Sequence, residues 1–191
     1  MLLRRWVFSE KYQYYSSHTS KTTSMRIFLI STWFQVLWFM AVLGQGDWVS
    51  WLVVSVVITF VLSCRYQGLP IWSCFSIAIL GVIFDSVNSL IGVLVFDDQY
   101  IPVWLVLLWA GYAWYAFQLY PLIRDYLRGG IIFVGAIAGG LSYYAGEQLG
   151  AVMFGFDPFS SVLVLMIEWA IVIWVTLKVY DHGNQKIKYQ L

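Results

Sequence analysis

The chain has 191 residues, a formal charge of +1 and a mean hydropathy of +0.75; 61% of it is hydrophobic and only 11% charged. A soluble domain carries roughly 25% charged residues, so this composition excludes an ordinary water-soluble fold and offers no basic surface for nucleic acid. It predicts an all-α polytopic bundle whose principal partner is the lipid bilayer.

Residues 1–24 are rich in Ser, Thr and Tyr and lack the apolar core of a signal peptide. They are expected to form a disordered cytoplasmic tail, or an extension upstream of a start at Met25. A span needs about 20 mainly apolar residues, and six windows qualify: 27–44, 48–64, 70–95, 102–121, 130–153 and 161–180. The expected organisation is a six-helix membrane domain over 25–182 followed by a short cytoplasmic tail, 183–191. Little chain remains for a soluble domain. The first window ends without a small-x-small cleavage pattern and is expected to stay as an anchor.

In the third window Ala78, Gly81, Asp85, Asn88 or Ser89, and Gly92 share one helical face. Aromatic residues fill the fourth from Trp104 to Tyr120, either as packing and lipid-facing rings or as a wall for a flat or lipidic ligand. Gly135, Gly139, Ser142, Gly146 and Gly150 follow one another at helical steps in the fifth. Such a stripe admits a closely packed neighbour, inside the bundle in preference to a second copy; the third and fifth helices are therefore expected at the packed centre.

The placement of charge orients the chain. All 11 basic residues precede the first span, follow the second or fourth, or end the chain, so they share one side if the spans alternate. The opposite loops carry only Asp47, Asp97, Asp98 and Asp157. The positive-inside rule then places both termini in the cytoplasm. Cys64 and Cys74 flank the Arg65 loop on that reducing side and are expected to be free structural thiols.

Asp85, Glu147 and Glu168 are the only charged residues well inside these windows. A charge at mid-bilayer costs on the order of 2.5–3.5 kcal/mol, so intramembrane acids normally face a bundle interior and find partners. Asp85 lies twelve residues before Asp97, Glu147 ten before Asp157 and Glu168 eleven after it. Gln35 lies twelve before Asp47 and Tyr112 eleven after Ile101. At 1.5 Å per residue all five would sit roughly 15–18 Å below the outer ends. Asn88 and Ser89 are at helical spacing from Asp85, and Tyr143 and Tyr144 from Glu147, as candidate partners. No Lys or Arg shares that level, so at least one acid holds a proton or a cation sits among them.

Two readings follow: neutral acids that hydrogen-bond the bundle together, or a binding site for a proton, cation or small ligand opening toward the outer face. His and Cys are missing at this depth, which argues against a transition-metal centre. There is no nucleophile constellation, phosphate loop or dinucleotide fingerprint, and no cofactor is implied.

Four segments, Trp33-Phe-Gln-Val-Leu-Trp38, Gly81-Val-Ile-Phe-Asp85-Ser86, Pro102-Val-Trp-Leu and Leu141-Ser-Tyr-Tyr-Ala-Gly-Glu-Gln-Leu-Gly150, resemble a family of small bacterial six-span inner-membrane proteins known only as a domain of unknown function. The resemblance covers residues 27 to about 180 and implies the bundle fold and a bacterial inner-membrane location. It implies no activity; an association of such genes with lipid-modifying methyltransferases and flavin-dependent oxidases hints at membrane-lipid or oxidative physiology. Six spans with Gly-x-x-x-Asp on the third are also similar to the substrate-binding subunits of energy-coupling-factor vitamin transporters and to a six-span rod-shape protein. The expected function is thus a non-enzymatic module that binds a small or lipidic ligand or an ion and works with other inner-membrane proteins. The alternatives are a lipid-modifying membrane enzyme or accessory subunit, and a structural scaffold.

Overall fold

A computed structural model describes residues 2–97 and 100–188, with side chains for residues 22–97 and 100–182. Its elements are α1 (Leu2–Gly44), α2 (Val49–Gln67), α3 (Ile71–Leu90), β1 (Leu94–Val95), α4 (Val103–Ile123), α5 (Arg128–Gln148), β2 (Met153–Phe154) and α6 (Pro158–Lys188). The expectations of a tail over 1–24 and another over 183–191 fall largely where side chains lie outside the described residues.

The protein is a bundle of helices. Thr22–Gly44, Val49–Gln67, Ile71–Leu90, Arg128–Gln148 and Pro158–His182 are each long and apolar enough to cross a membrane. Their outward faces are greasy: Val53, Val57, Ile58, Val61 and Leu62 of α2 are all exposed, as suits helices solvated by lipid. α4 is 21 residues long but falls outside that apolar set, because its Trp, Tyr and Gln side chains lower its hydropathy. Position compensates for composition. α4 packs against α1, α2, α3 and α6, burying Trp104, Trp109, Trp114 and Tyr120. Its polar edges are met inside the bundle: the Trp114 indole N–H donates to Ser63 Oγ at 2.8 Å.

The expectation that α3 and α5 form the packed centre is corrected: the helix packed against the most neighbours is α4. The most extensive interfaces are α5 with α6, α3 with α4 and α1 with α4. The glycine stripe on α5 serves α6: a Cβ at Gly135 would meet Ile173 at 2.3 Å, one at Gly139 the Trp169 ring at 2.2 Å, and one at Gly140 Met166 at 2.4 Å. At Gly146 the nearest atom, on Val152, is at an ordinary 3.8 Å. A Cβ at Gly150 would meet nothing within 4 Å; its φ of +75° turns the chain out of α5.

The third and fifth windows also end sooner than their apolarity suggests. Gly92, with φ +78°, and Gly150 break the helices, and the apolar residues beyond them form a short antiparallel ladder, Leu94 opposite Phe154 and Val95 opposite Met153. This ladder joins the α3–α4 and α5–α6 connections at one end of the bundle. Gly155 is required there, since a Cβ would stand 2.0 Å from the Gly92 carbonyl oxygen. At the opposite end Arg128, opening α5, pairs with Asp181 of α6 at 2.8 Å, and Asp181 also accepts from the Tyr120 hydroxyl.

Candidate functional site

Asp85 is 1% exposed and fully hydrogen-bonded. The Trp109 indole N–H of α4 donates to its Oδ2 at 2.5 Å, and the Tyr143 hydroxyl of α5 reaches Oδ1 at 2.7 Å and Oδ2 at 2.8 Å. One glycine makes this possible. Gly81 lies a turn before Asp85 on α3, and a Cβ there would lie 2.0 Å from the Trp109 ring. The bare backbone lets the indole cross α3 and aim its N–H at the acid. Gly139 does the same for Trp169 of α6. The two indoles then stack, centroids 5.1 Å apart and planes at 18°, and Tyr112 stands edge-on to both, at 5.5 and 4.9 Å.

Glu168 lies nearby on α6, half-buried, and accepts from Asn88 Nδ2 at 2.6 Å. Asn88 is completely buried, and its Oδ1 has no partner. Ser89 is half-buried and does not bond Asp85. The partners of Asp85 are therefore not its own-helix neighbours but Trp109 and Tyr143 from two other helices. Trp109 was missed as a partner; its only sequence signal is the glycine one turn before the acid.

Glu147 does not join the other acids. It stands one residue from the end of α5, half-buried, and accepts from its neighbour Gln148 at 2.7 Å. Tyr143 bonds Asp85 instead, and Tyr144 is 41% exposed on another face. The common depth counted along the sequence fails for Glu147 for a simple reason. Counting from Asp97 and Asp157 runs through Gly92, Gly150 and the strand ladder, where residues do not add 1.5 Å of helical rise. Measured from its own helix end, Asp85 is five residues in, Glu147 one and Glu168 ten. The pairing of Glu168 with Asn88, two residues from the end of α3, means that the first turns of α6 overhang α3.

On the other side of Trp109 and Tyr143 lies a half-open cleft of about 1190 Å³ between α1 and α5, floored by α4 and α6. Its lining runs from Phe96 and Trp104 at one end to Ile123 and Tyr126 at the other. Trp104 to Ile123 on a helix is about 28 Å, close to the thickness of a bilayer's hydrocarbon core. Among the described residues, no Asp, Glu, Lys, Arg or His lines it. Asp85, Asn88, Ser89, Glu147 and Glu168 do not reach it, whereas Gln35, Tyr112 and Tyr143 do. The three acids do not converge on this cavity.

Most polar groups around the cleft are satisfied. Tyr143 holds Asp85, the Ser142 hydroxyl donates to the Gly139 carbonyl at 2.7 Å, and Ser31 and Tyr115 share a bond of 3.2 Å. Gln35 is different: among the described residues its amide has no partner, and it is exposed. Nine residues from the end of α1, it stands about 14 Å inside. An unpaired amide in hydrocarbon costs several kcal/mol. Among the described residues no group of three or more His, Cys, Asp or Glu is placed to hold a metal ion.

No curated protein and no solved structure shows a significant match to the chain. The residues that build the site, from Gln35 through Gly81, Asp85 and Trp109 to Tyr143 and Trp169, all fall within one family model spanning residues 27–175, and the chain belongs to that family, described as protein of unknown function DUF2878.

Proposed function

We propose that this is a non-enzymatic multi-pass protein of the bacterial inner membrane, with both termini cytoplasmic and α4 as a sixth crossing, that holds a lipidic molecule in the cleft between α1 and α5 and works with other inner-membrane proteins. The observation that carries this reading is the cleft itself: about 1190 Å³, uncharged, aromatic-lined and running the length of α4. Ligand pockets commonly measure about 300–1,000 Å³ and are mostly apolar with a few placed polar groups. Orientation rests on the basic residues: Arg26, near the start of the Thr22–Gly44 span, and Arg65, Arg124 and Arg128, at helix ends, share one side when the spans alternate.

The enzyme alternative is less favoured, because the acid nearest the cleft, Asp85, stands behind Trp109 and Tyr143 and already accepts their hydrogen bonds. A general acid or base must come within hydrogen-bond reach of its substrate.

A photoactivatable palmitate incorporated into membranes containing the purified protein tests the reading. Cross-links are expected on α1 and α5 peptides that line the cleft, and filling the cleft with Ala138→Trp should remove them, because Ala138 is exposed on its wall. Labelling confined to the outward face of α2, unchanged by that substitution, would refute the proposal.

A further inference from the structure

We infer that the preferred occupant of the cleft is a lipoquinone: a flat, uncharged, hydrogen-bond-accepting ring on an apolar tail. The inference rests on the lipid-binding reading and narrows it by three observations. First, among the described residues the lining carries no Asp, Glu, Lys, Arg or His, so none of them neutralises a charged headgroup; phospholipids and fatty acids carry their charge at the interface rather than in the hydrocarbon. Second, the unpartnered amide of Gln35 faces the cleft well inside the span. It calls for an occupant that brings a hydrogen-bonding group deep into the membrane, which acyl chains do not. Third, the same stretch of wall is built of rings. Phe34 and Tyr115 stack at 4.6 Å and 11°, and Trp109, Tyr112 and Trp169 form the mutually braced cluster beside them. Rings of this kind offer faces and edges to a flat guest.

Among membrane lipids, the combination of a neutral head that resides within the bilayer, carbonyl acceptors and a planar ring describes a quinone. The Gln35 NH₂ would donate to a ring carbonyl, the aromatic cluster would meet the ring, and the tail would occupy the apolar remainder of the cleft toward Leu119, Ile123 and Ile131. No redox step is assigned to this binding; the protein supplies a seat.

The test uses the full chain in nanodiscs of quinone-free phosphatidylcholine, titrated with ubiquinone-2 and menaquinone-2 and followed by tryptophan quenching, since Trp38, Trp104, Trp109 and Trp169 all line the cleft. Saturable quenching is expected. Gln35→Leu should raise the Kd about tenfold, as loss of one hydrogen bond of about 1.4 kcal/mol would, and Ala138→Trp should abolish saturation. Because Gln35 holds nothing else in place, its variant should melt at or above the temperature of the parent protein, which separates lost binding from lost folding. Quenching that does not saturate, or an equal Kd in Gln35→Leu, overturns the inference. If quinones fail while photoactivatable palmitate still labels the cleft, the lipid-binding reading survives without its quinone; if both fail, both fall.

Discussion

Two polar side chains stand on opposite sides of the wall made by Trp109 and Tyr143, and they have opposite fates. Behind it, Asp85 is the costlier group to bury, yet it is saturated: both carboxylate oxygens accept hydrogen bonds, from donors on two neighbouring helices. In front of it, Gln35 is the cheaper group and has no partner among the described residues. A buried group that the protein satisfies by itself holds the protein together; an exposed one left without a partner on the wall of a cleft is available to something else. Chemical cost alone would point to Asp85 as the functional residue, whereas hydrogen-bond accounting points to Gln35.

The largest expected effect is on the saturated side. Asp85→Leu strands the Trp109 N–H and the Tyr143 O–H in a dry interior, at about 1–3 kcal/mol per unsatisfied donor. It should therefore lower the free energy of reversible unfolding in mixed micelles by roughly 2–5 kcal/mol. A loss below half a kcal/mol would erase the contrast with Gln35. Tyr143→Phe keeps the ring and removes one donor while Trp109 still holds the acid. In the same assay it should cost about 1 kcal/mol, and a cost equal to that of Asp85→Leu would mean that Tyr143, not the acid, is the keystone.

The smallest effect lies outside the membrane, at a carboxylate whose role is local. Asp157 precedes Pro158 at the start of α6 and accepts from the Ser160 N–H at 3.0 Å. Hydrogen bonds from Ser160, side chain first and then backbone, hold this carboxyl below its ordinary value of 3.8. A depressed carboxyl contributes stability above its unfolded value and loses it as pH falls through the folded one. Asp157→Ala should thus lower the melting temperature slightly at pH 7. The gap from the parent protein should begin to close near pH 4 and vanish below it; a gap that stays constant into stronger acid would remove the capping explanation.

Much of the architecture was legible before any tertiary contact was known. Six apolar windows correspond to six helices because the bilayer imposes a length and an apolarity that composition records directly. The glycine steps of the fifth window indicated a close-packed face, and Gly135 and Gly139 do lie against α6. The same windows misled at residues 91–95 and 149–153, where apolar strand residues look like a continuation of helix. Hydropathy reports burial from water, not the sign of φ at Gly92 and Gly150, so Glu147 was counted to a depth shared with Asp85 and Glu168 that it does not have.

The sequence by itself determined that this chain enters a membrane as a helical bundle, and which residues would be expensive there, because both follow from side-chain solvation one residue at a time. Only the tertiary structure decided which of those costs are met. Asp85 finds Trp109 at a separation of 24 residues and Tyr143 at 58, Glu168 finds Asn88 at 80, Glu147 ends at a helix terminus, and Gln35 faces a cleft that exists only because α1 and α5 stand apart around α4. Hydrogen bonds and cavities between helices depend on rotation, register and overhang, which no periodicity along a single helix encodes.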